Sequence, residues 1–266
     1  MQKCANNLAV EAATPIAMLI GLMLPIGFEE VALKELMKQA CETASNLGIK
    51  IIGGHTEYVN GLIHPIVSVT SFGDKRTDFD NADKKTGLDI VITKWMGLSG
   101  TSIIAREMRD ALVTKLPTYY VDEAASLDMF MDVSKESEIA INTSGTIAMH
   151  DVAGGGVFSA IWEICKALDC GCKIELKKIP VLQETIEVCE FYDINPYNLR
   201  GDGSLVVITK DGEGLVRKLR SSEINATIIG KTTEGIDRIV VRDDEERFLE
   251  RGKSDELTKV IIDGEE

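Results

Sequence analysis

Three stretches combine glycine with polar side chains able to do chemistry. They are Gly53-Gly54-His55-Thr56-Glu57, the run Thr93–Thr101 with Lys94, Gly97, Gly100 and Thr101, and His150-Asp151 followed by Gly154-Gly155-Gly156. Paired glycines let backbone N–H groups approach an anion because no Cβ stands in the way. Two of the stretches run straight into a predicted helix, whose free N–H groups and positive dipole end suit phosphate. None contains GxxxxGK(S/T), and none fits GxGxxG with its downstream acid, so neither a Walker A loop nor a Rossmann dinucleotide site is indicated. Lys94 reads equally well as a phosphate contact or as a solvated lysine. His150-Asp151 can act as an acid–base pair, or Asp151 can sit beside magnesium. Asp151 can also cap the helix that follows. Alone, Gly53–Glu57 reads as a turn after a strand. His64, beside Pro65, reads as structural, and no Ser/His/Asp or Cys/His arrangement emerges from spacing.

These residues need elements to hold them. The chain has 266 residues, comfortable for two domains. Its hydrophobic fraction of 44% and charged fraction of 27% are those of a soluble globular protein. A net charge of −14 argues against nonspecific nucleic-acid or anionic-membrane binding. The longest apolar run, Ile16–Leu24, is far shorter than the ~20 residues of a membrane helix. With no secretory signal in view, the expectation is a reduced, cytoplasmic protein. The six cysteines include Cys165, Cys170 and Cys172. They read as buried or incidental thiols, with a redox or metal role as the weaker alternative because no second ligand cluster accompanies them.

Periodicity and breakers give the order of elements. A helix ends before Pro15, a buried strand fills Ile16–Leu24, an amphipathic helix covers Phe28–Ala44, and strands follow at Ile49–Ile52 and Pro65–Ser71. Polar residues Gly73–Gly87 read as a linker. Beyond them the sequence predicts a strand at Leu88–Thr93 and helices at Ser102–Leu112 and within Val121–Ser134. Ile139–Ile141 and Ile147–Met149 flank a turn, and helices follow at Val157–Leu168 and Glu184–Phe191. A strand at Leu205–Thr209, a helix at Leu215–Ser221, a strand at Ala226–Ile229 and a hairpin from Ile239 to Phe248 complete the series. From Lys231 on there are 12 acidic and 7 basic residues, which predicts a solvated surface extension at the end.

In order, these stretches resemble the superfamily of aminoimidazole ribonucleotide (AIR) synthase, the E-type hydrogenase maturation protein, thiamine-monophosphate kinase and selenophosphate synthetase. The matching residues are ANNLAVEAATP (Ala5–Pro15), IIGGHTE (Ile51–Glu57), DIVITKWMGLSGT (Asp89–Thr101), MHDVAGGGVFSAIWE (Met149–Glu163), KIPVLQET (Lys178–Thr185) and GSLVVIT (Gly203–Thr209). The AIR synthase-related, hydrogenase formation-like branch is the most similar. The resemblance implies a two-domain α/β fold of α+β type: residues 1–74 as the remainder of the N-terminal domain, 75–88 as linker, 89–235 as a C-terminal domain with a mixed sheet under helices, and 236–266 as an acidic extension. It implies a homodimer in which the N-terminal sheets close a β-barrel, ATP and Mg2+ in a cleft between the domains, and phosphorylation of a substrate oxygen that a nucleophile then displaces. Neither nucleic acid nor membrane is implied as a partner.

Carried over by position, the resemblance assigns ATP contacts to Asn6, Asn7, Gly53, Gly54, Thr56, Lys94, Gly97, Gly100, Thr101 and Gly154–Gly156. It assigns reaction chemistry to His55, His150 and Asp151, and metal binding to Glu57 and Asp151. The chain departs from the pattern in places. Asn7 stands for an acid, Ala153 for a frequent Thr, Ser99 for the Glu of a GxEGT motif, and Asp202 for a common Ser. The family's Gly- and Asp-rich segment that binds ATP phosphates and magnesium is expected before Met1. No cysteine follows Cys189, whereas the E-type maturation protein ends in a carbamoylated one. The alternative expectation is therefore a non-catalytic member acting as a binding or assembly subunit.

Overall fold

The computed structural model describes residues 1–79, 85–250 and 254–263. Residues Met1–Asp78 and Phe79–Glu266 form two compact units. In the first, α1 (Gln2–Val10) leads into β1 (Ala13–Pro25), α2 (Glu30–Asn46), β2 (Lys50–Val59) and β3 (Ile66–Lys75). The sheet order is β2-β1-β3, with β2 parallel and β3 antiparallel to β1. The parallel pair needs a crossover, and α2 supplies it. Alternate residues of β1 point to opposite faces. Ile20, Leu22 and Leu24 are buried against Leu33, Leu36 and Met37 of α2. The face bearing Gly21 and Met23 is open: Gly21 pairs with His55 and Ser68, and Met23 with Glu57 and Ile66. Met23 and Ile66 are 42% and 46% exposed.

The stretch Gly53–Glu57 lies inside β2 and is not a turn. The pairing of β1 with β2 shifts register between Met18 and Leu19, leaving Ile52 as an extra residue. Beyond that bulge the strands approach so closely that a Cβ on Gly54 would lie 1.8 Å from the Ile20 carbonyl oxygen. Strand packing therefore demands this glycine, whatever else it does.

The second unit runs β4 (Asp89–Thr93), α3 (Leu98–Glu107), α4 (Arg109–Leu112), α5 (Thr118–Ala125), α6 (Ser134–Ile141), β5 (Thr146–Asp151), α7 (Gly156–Ala167) and β6 (Gly171–Glu175). It continues with α8 (Gln183–Phe191), β7 (Leu205–Thr209), α9 (Gly212–Ser221), β8 (Ala226–Thr233), β9 (Arg238–Arg242), β10 (Glu245–Phe248) and α10 (Leu257–Asp263). The sheet order is β10-β9-β6-β8-β4-β7-β5, antiparallel except for the parallel pair β6–β9. Strands β4 and β7 are apolar at nearly every position because helices cover both faces. Helix α7 packs with Ile90, Ile92, Val206 and Ile208, while α6 and α9 lie against the other side. Helices α3, α5, α8 and α10 gather into a second core around Ile104, Leu112, Val188 and Leu199. The fold is the expected mixed α/β arrangement.

Several local expectations change. Ile139–Ile141 is the end of helix α6, and a short turn separates it from β5 as expected; the helix predicted to start at Ser102 begins at Leu98. The described part of the predicted solvated extension is built into the unit. Strand β9 joins the sheet with Val240 1% exposed, and Leu249, Leu257 and Val260 are buried. Its acidic residues surround a sparse set of apolar anchors, which composition alone hides. Part of the predicted linker, residues 80–84, lies outside the described residues. No helix among the described residues is long and apolar enough to cross a membrane.

Candidate functional site

Strand β5 delivers His150 and Asp151 to the edge of the second sheet, and the chain then turns through three glycines into α7. The glycines serve different ends. Gly155 adopts φ 79°, a left-handed turn that favours glycine. A Cβ on Gly156 would stand 2.4 Å from the Tyr197 carbonyl oxygen, so the helix entrance rests directly on the 196–199 backbone. A Cβ on Gly154 would meet one atom within 4 Å, Asp255 Oδ2 at 3.6 Å. Gly155 holds the N-cap position of α7. The Gly155 N–H donates to Asp255 Oδ2 at 3.2 Å, and Asp255 Oδ1 accepts from the Arg200 N–H at 3.2 Å and the Leu257 N–H at 3.0 Å. The α7 entrance thus already holds an anion supplied by the chain itself.

His150 sits between carboxylates. Its Nδ1 is 2.7 Å from the Asp151 carbonyl oxygen, and its Nε2 is 3.3 Å from Glu163 Oε2 on α7. A carbonyl only accepts, so Nδ1 carries the hydrogen and Nε2 faces Glu163. Asp151 Oδ1 lies 3.8 Å from Nδ1, and Asp151 is 7% exposed. The arrangement can hold a proton at Nε2 beside a carboxylate, with a second, buried carboxylate close by.

The Thr93–Thr101 stretch is occupied with packing. Lys94 takes a left-handed φ of 52°. Its Nζ donates to the carbonyl oxygens of Phe130 at 2.9 Å and Asp132 at 2.5 Å, and pairs with Glu136 Oε1 at 2.5 Å. Two carbonyls and one carboxylate thus surround the ammonium group. A Cβ on Gly97 would meet Thr185 Cγ2 at 2.8 Å, and one on Gly100 would meet Leu199 at 2.5 Å. Thr101 Oγ1 donates to Thr185 Oγ1 at 3.0 Å. Ser99 Oγ donates to Asp202 Oδ2 at 2.7 Å, the Asp202 N–H returns to Ser99 Oγ at 2.9 Å, and Arg200 Nε donates to the same Asp202 oxygen at 3.1 Å.

In the first unit, His55 and Glu57 share the open sheet face, with Nε2 and Oε2 3.6 Å apart and both side chains well exposed. Thr56 pairs across from Leu22, on the opposite face. Asn6 is buried and its Oδ1 accepts from Gln2 Nε2 at 2.9 Å, while Asn7 is exposed. Of the residues singled out in the sequence, the structure gathers His150, Asp151 and Gly154–Gly156. It places Lys94, Gly97, Gly100 and Thr101 in packing contacts; in the first unit Gly53–Glu57 lie along β2, and Asn6 and Asn7 lie on α1. Sequence reasoning missed the part played here by Asp255, Arg200 and Glu163. Glu163 alone carried a signal, thirteen positions after His150 on the apolar-patterned helix. Among the described residues no group of three or more His, Cys, Asp or Glu is arranged to hold a metal ion.

Two α/β units, one carrying a mixed sheet with a glycine-entered helix at its edge, define a recognisable class. The AIR synthase related protein family model for the N-terminal domain matches residues 1–74, and that for the C-terminal domain matches residues 85–243. The chain belongs to the AIR synthase-related family. It is 28% identical over 236 residues to a putative hydrogenase expression/formation protein of Methanocaldococcus jannaschii, covering 86% of this chain and 68% of that protein. It is 27% identical over 240 residues to carbamoyl dehydratase HypE of Escherichia coli, with the same coverages of 86% and 68%. The chain therefore spans about two thirds of the length of these relatives. The crystal structure of E. coli HypE superposes with a TM-score of 0.81 at 21% identity, covering 97% of this chain and 80% of that one. A HypE structure in complex with ATP gives 0.74 at 18% identity, covering 94% and 77%. At these identities the superpositions speak for the fold alone.

Proposed function

We propose that the chain binds ATP with magnesium and uses it to activate an oxygen atom of a small substrate for loss as phosphate. The observation that carries this reading is the anion held at the α7 entrance, where the Gly155 N–H donates to a carboxylate oxygen at 3.2 Å. Amide donors at a helix start that accept a carboxylate suit a phosphate oxygen equally. The fit for magnesium is narrower. The buried carboxylate at hand is Asp151, and magnesium commonly takes one or two carboxylates, keeping its other positions for phosphate oxygens and water. When bound, ATP would supply the phosphoryl group and magnesium would neutralise its charge. The chain's own residues would orient it through Gly154–Gly156, and His150 Nε2, facing Glu163, would hold or release the proton of the activated oxygen. The names of the relatives fit: removal of water from a carbamoyl group, which the E. coli protein's name describes, needs its oxygen made into a leaving group.

The first unit would add Asn6, Asn7, Gly53, Gly54, His55, Thr56 and Glu57, and its open sheet face would pair with a second copy to make a homodimer. The amide at Asn7 in place of an acid favours a second reading, a family member that binds without catalysing. Titration calorimetry with Mg-ATP tests the first reading. Wild-type protein should bind, and Asp151→Asn should bind about tenfold more weakly, the scale of one lost charge contact of about 1.4 kcal/mol, with an unchanged circular dichroism spectrum. Absence of binding to folded wild-type protein would overturn the reading, and equal affinity in the variant would make Asp151 structural.

A further inference from the structure

We propose that the C-terminal segment from Ser254 is an intramolecular inhibitor of the glycine loop: Asp255 occupies the oxyanion position at the α7 entrance, and an anionic ligand reaches Gly155 only when the segment lifts. This rests on the reading of Gly154–Gly156 as a phosphate-binding loop. Two of the three N–H groups on the Asp255 carboxylate, those of Gly155 and Arg200, belong to the body of the unit; the third, of Leu257, belongs to the segment itself. A Cβ at Gly154 would lie in ordinary van der Waals contact with that carboxylate, 3.6 Å from Oδ2. A second anchor sits further along. Leu257 and Val260 are buried with Ile104, Val188 and Leu199. Between the anchors, Glu256 Oε2 accepts from the Asn195 N–H at 3.4 Å and from Lys259 Nζ at 2.6 Å. The segment is therefore fastened to the helices by apolar contacts and to the glycine loop by charge.

The matched family region ends at residue 243, before this strap. A carboxylate and a phosphate oxygen ask the same thing of amide donors at a helix start, and both cannot be there together. The tether also gives Asp255 the advantage of an intramolecular ligand. Were Asp255 only a loop staple, removing its charge would cost stability and gain no affinity.

The test uses the full chain as wild type, Asp255→Asn and Leu257→Ser, the last loosening the strap without touching the anion position. Each is titrated with Mg-ATP and separately with inorganic pyrophosphate, and amide hydrogen exchange is followed over residues 256–261. Both variants should bind Mg-ATP about tenfold tighter than wild type, as expected when a tethered competitor is removed. Saturating wild type with Mg-ATP should speed exchange over 256–261. Equal or weaker binding by the variants, or unchanged exchange in saturated wild type, would overturn the strap while leaving ATP binding intact. If Mg-ATP binds to none of the three, the ATP reading falls and pyrophosphate decides the strap. Tighter pyrophosphate binding by Asp255→Asn than by wild type supports it; equal binding, or none, overturns it.

Discussion

Lys94 and Glu136 form an ion pair almost out of reach of water, with side chains 11% and 2% exposed. Removing one partner of such a pair strands the other charge, at a cost of about 3–5 kcal/mol. Lys94→Ala should therefore lower the melting temperature by roughly 10 °C, readable by scanning calorimetry, while the folded protein keeps its affinity for Mg-ATP. Intact stability with lost affinity would instead return Lys94 to phosphate binding. The side chain could not be assigned from sequence, because a lysine after a strand looks the same whether its ammonium meets solvent, phosphate or two carbonyls near position 130. Ser99 and Asp202 were visible only as separate departures from a family pattern, an acid lost and an acid gained. The structure joins them at 2.7 Å across 103 positions as a carboxylate–hydroxyl pair. One sequence cannot reveal that contact, since nothing local links the two positions.

Elements were legible wherever local periodicity matched the tertiary environment. Strands β4 and β7 and helices α2, α7 and α8 follow their apolar patterns closely. Strand β2 runs on past the predicted Ile49–Ile52 through two glycines that look like a break in sequence, and the approach of Ile20 shows why Gly54 sits mid-strand. The segment ending in α10 failed for the opposite reason: acidic composition masked apolar anchors that need the distant α3 and α8 to become meaningful. That packing has a measurable signature at Cys189 on α8. Burial, and then the charge of Glu256, push its thiol from 9.0 up to about 12. A raised folded-state pKa means stability that is complete below pH 9 and lost as pH climbs toward 12, because the unfolded thiol ionises first. The contribution amounts to up to about 4 kcal/mol. Urea unfolding between pH 8.5 and 11.5 should show a falling free energy, with a shallower fall for Cys189→Ala; identical slopes would mean that the thiol is not shielded.

At the scale of the whole molecule, the two units differ in how completely they cover their sheets. The seven-stranded sheet has helices on both sides, whereas the three-stranded sheet keeps one face with Met23 and Ile66 open. A small sheet of this kind gains from any partner that binds its folded form, and mass action then ties its melting temperature to protein concentration. Calorimetry over a hundredfold concentration range should resolve a transition of the first unit that rises with concentration and one of the second unit that does not. A first transition independent of concentration would argue against self-association through that face. The sheet of the second unit carries a different demand, set by the order in which its strands are made. β4 is its earliest strand, yet its neighbours β7 and β8 begin only at Leu205 and Ala226. At synthesis rates of about 10 residues per second, Ile90, Val91 and Ile92 wait on the order of ten seconds before a partner strand exists. A strand whose Ile90, Val91 and Ile92 are wholly buried in the folded protein is thus the one left longest without cover at the ribosome.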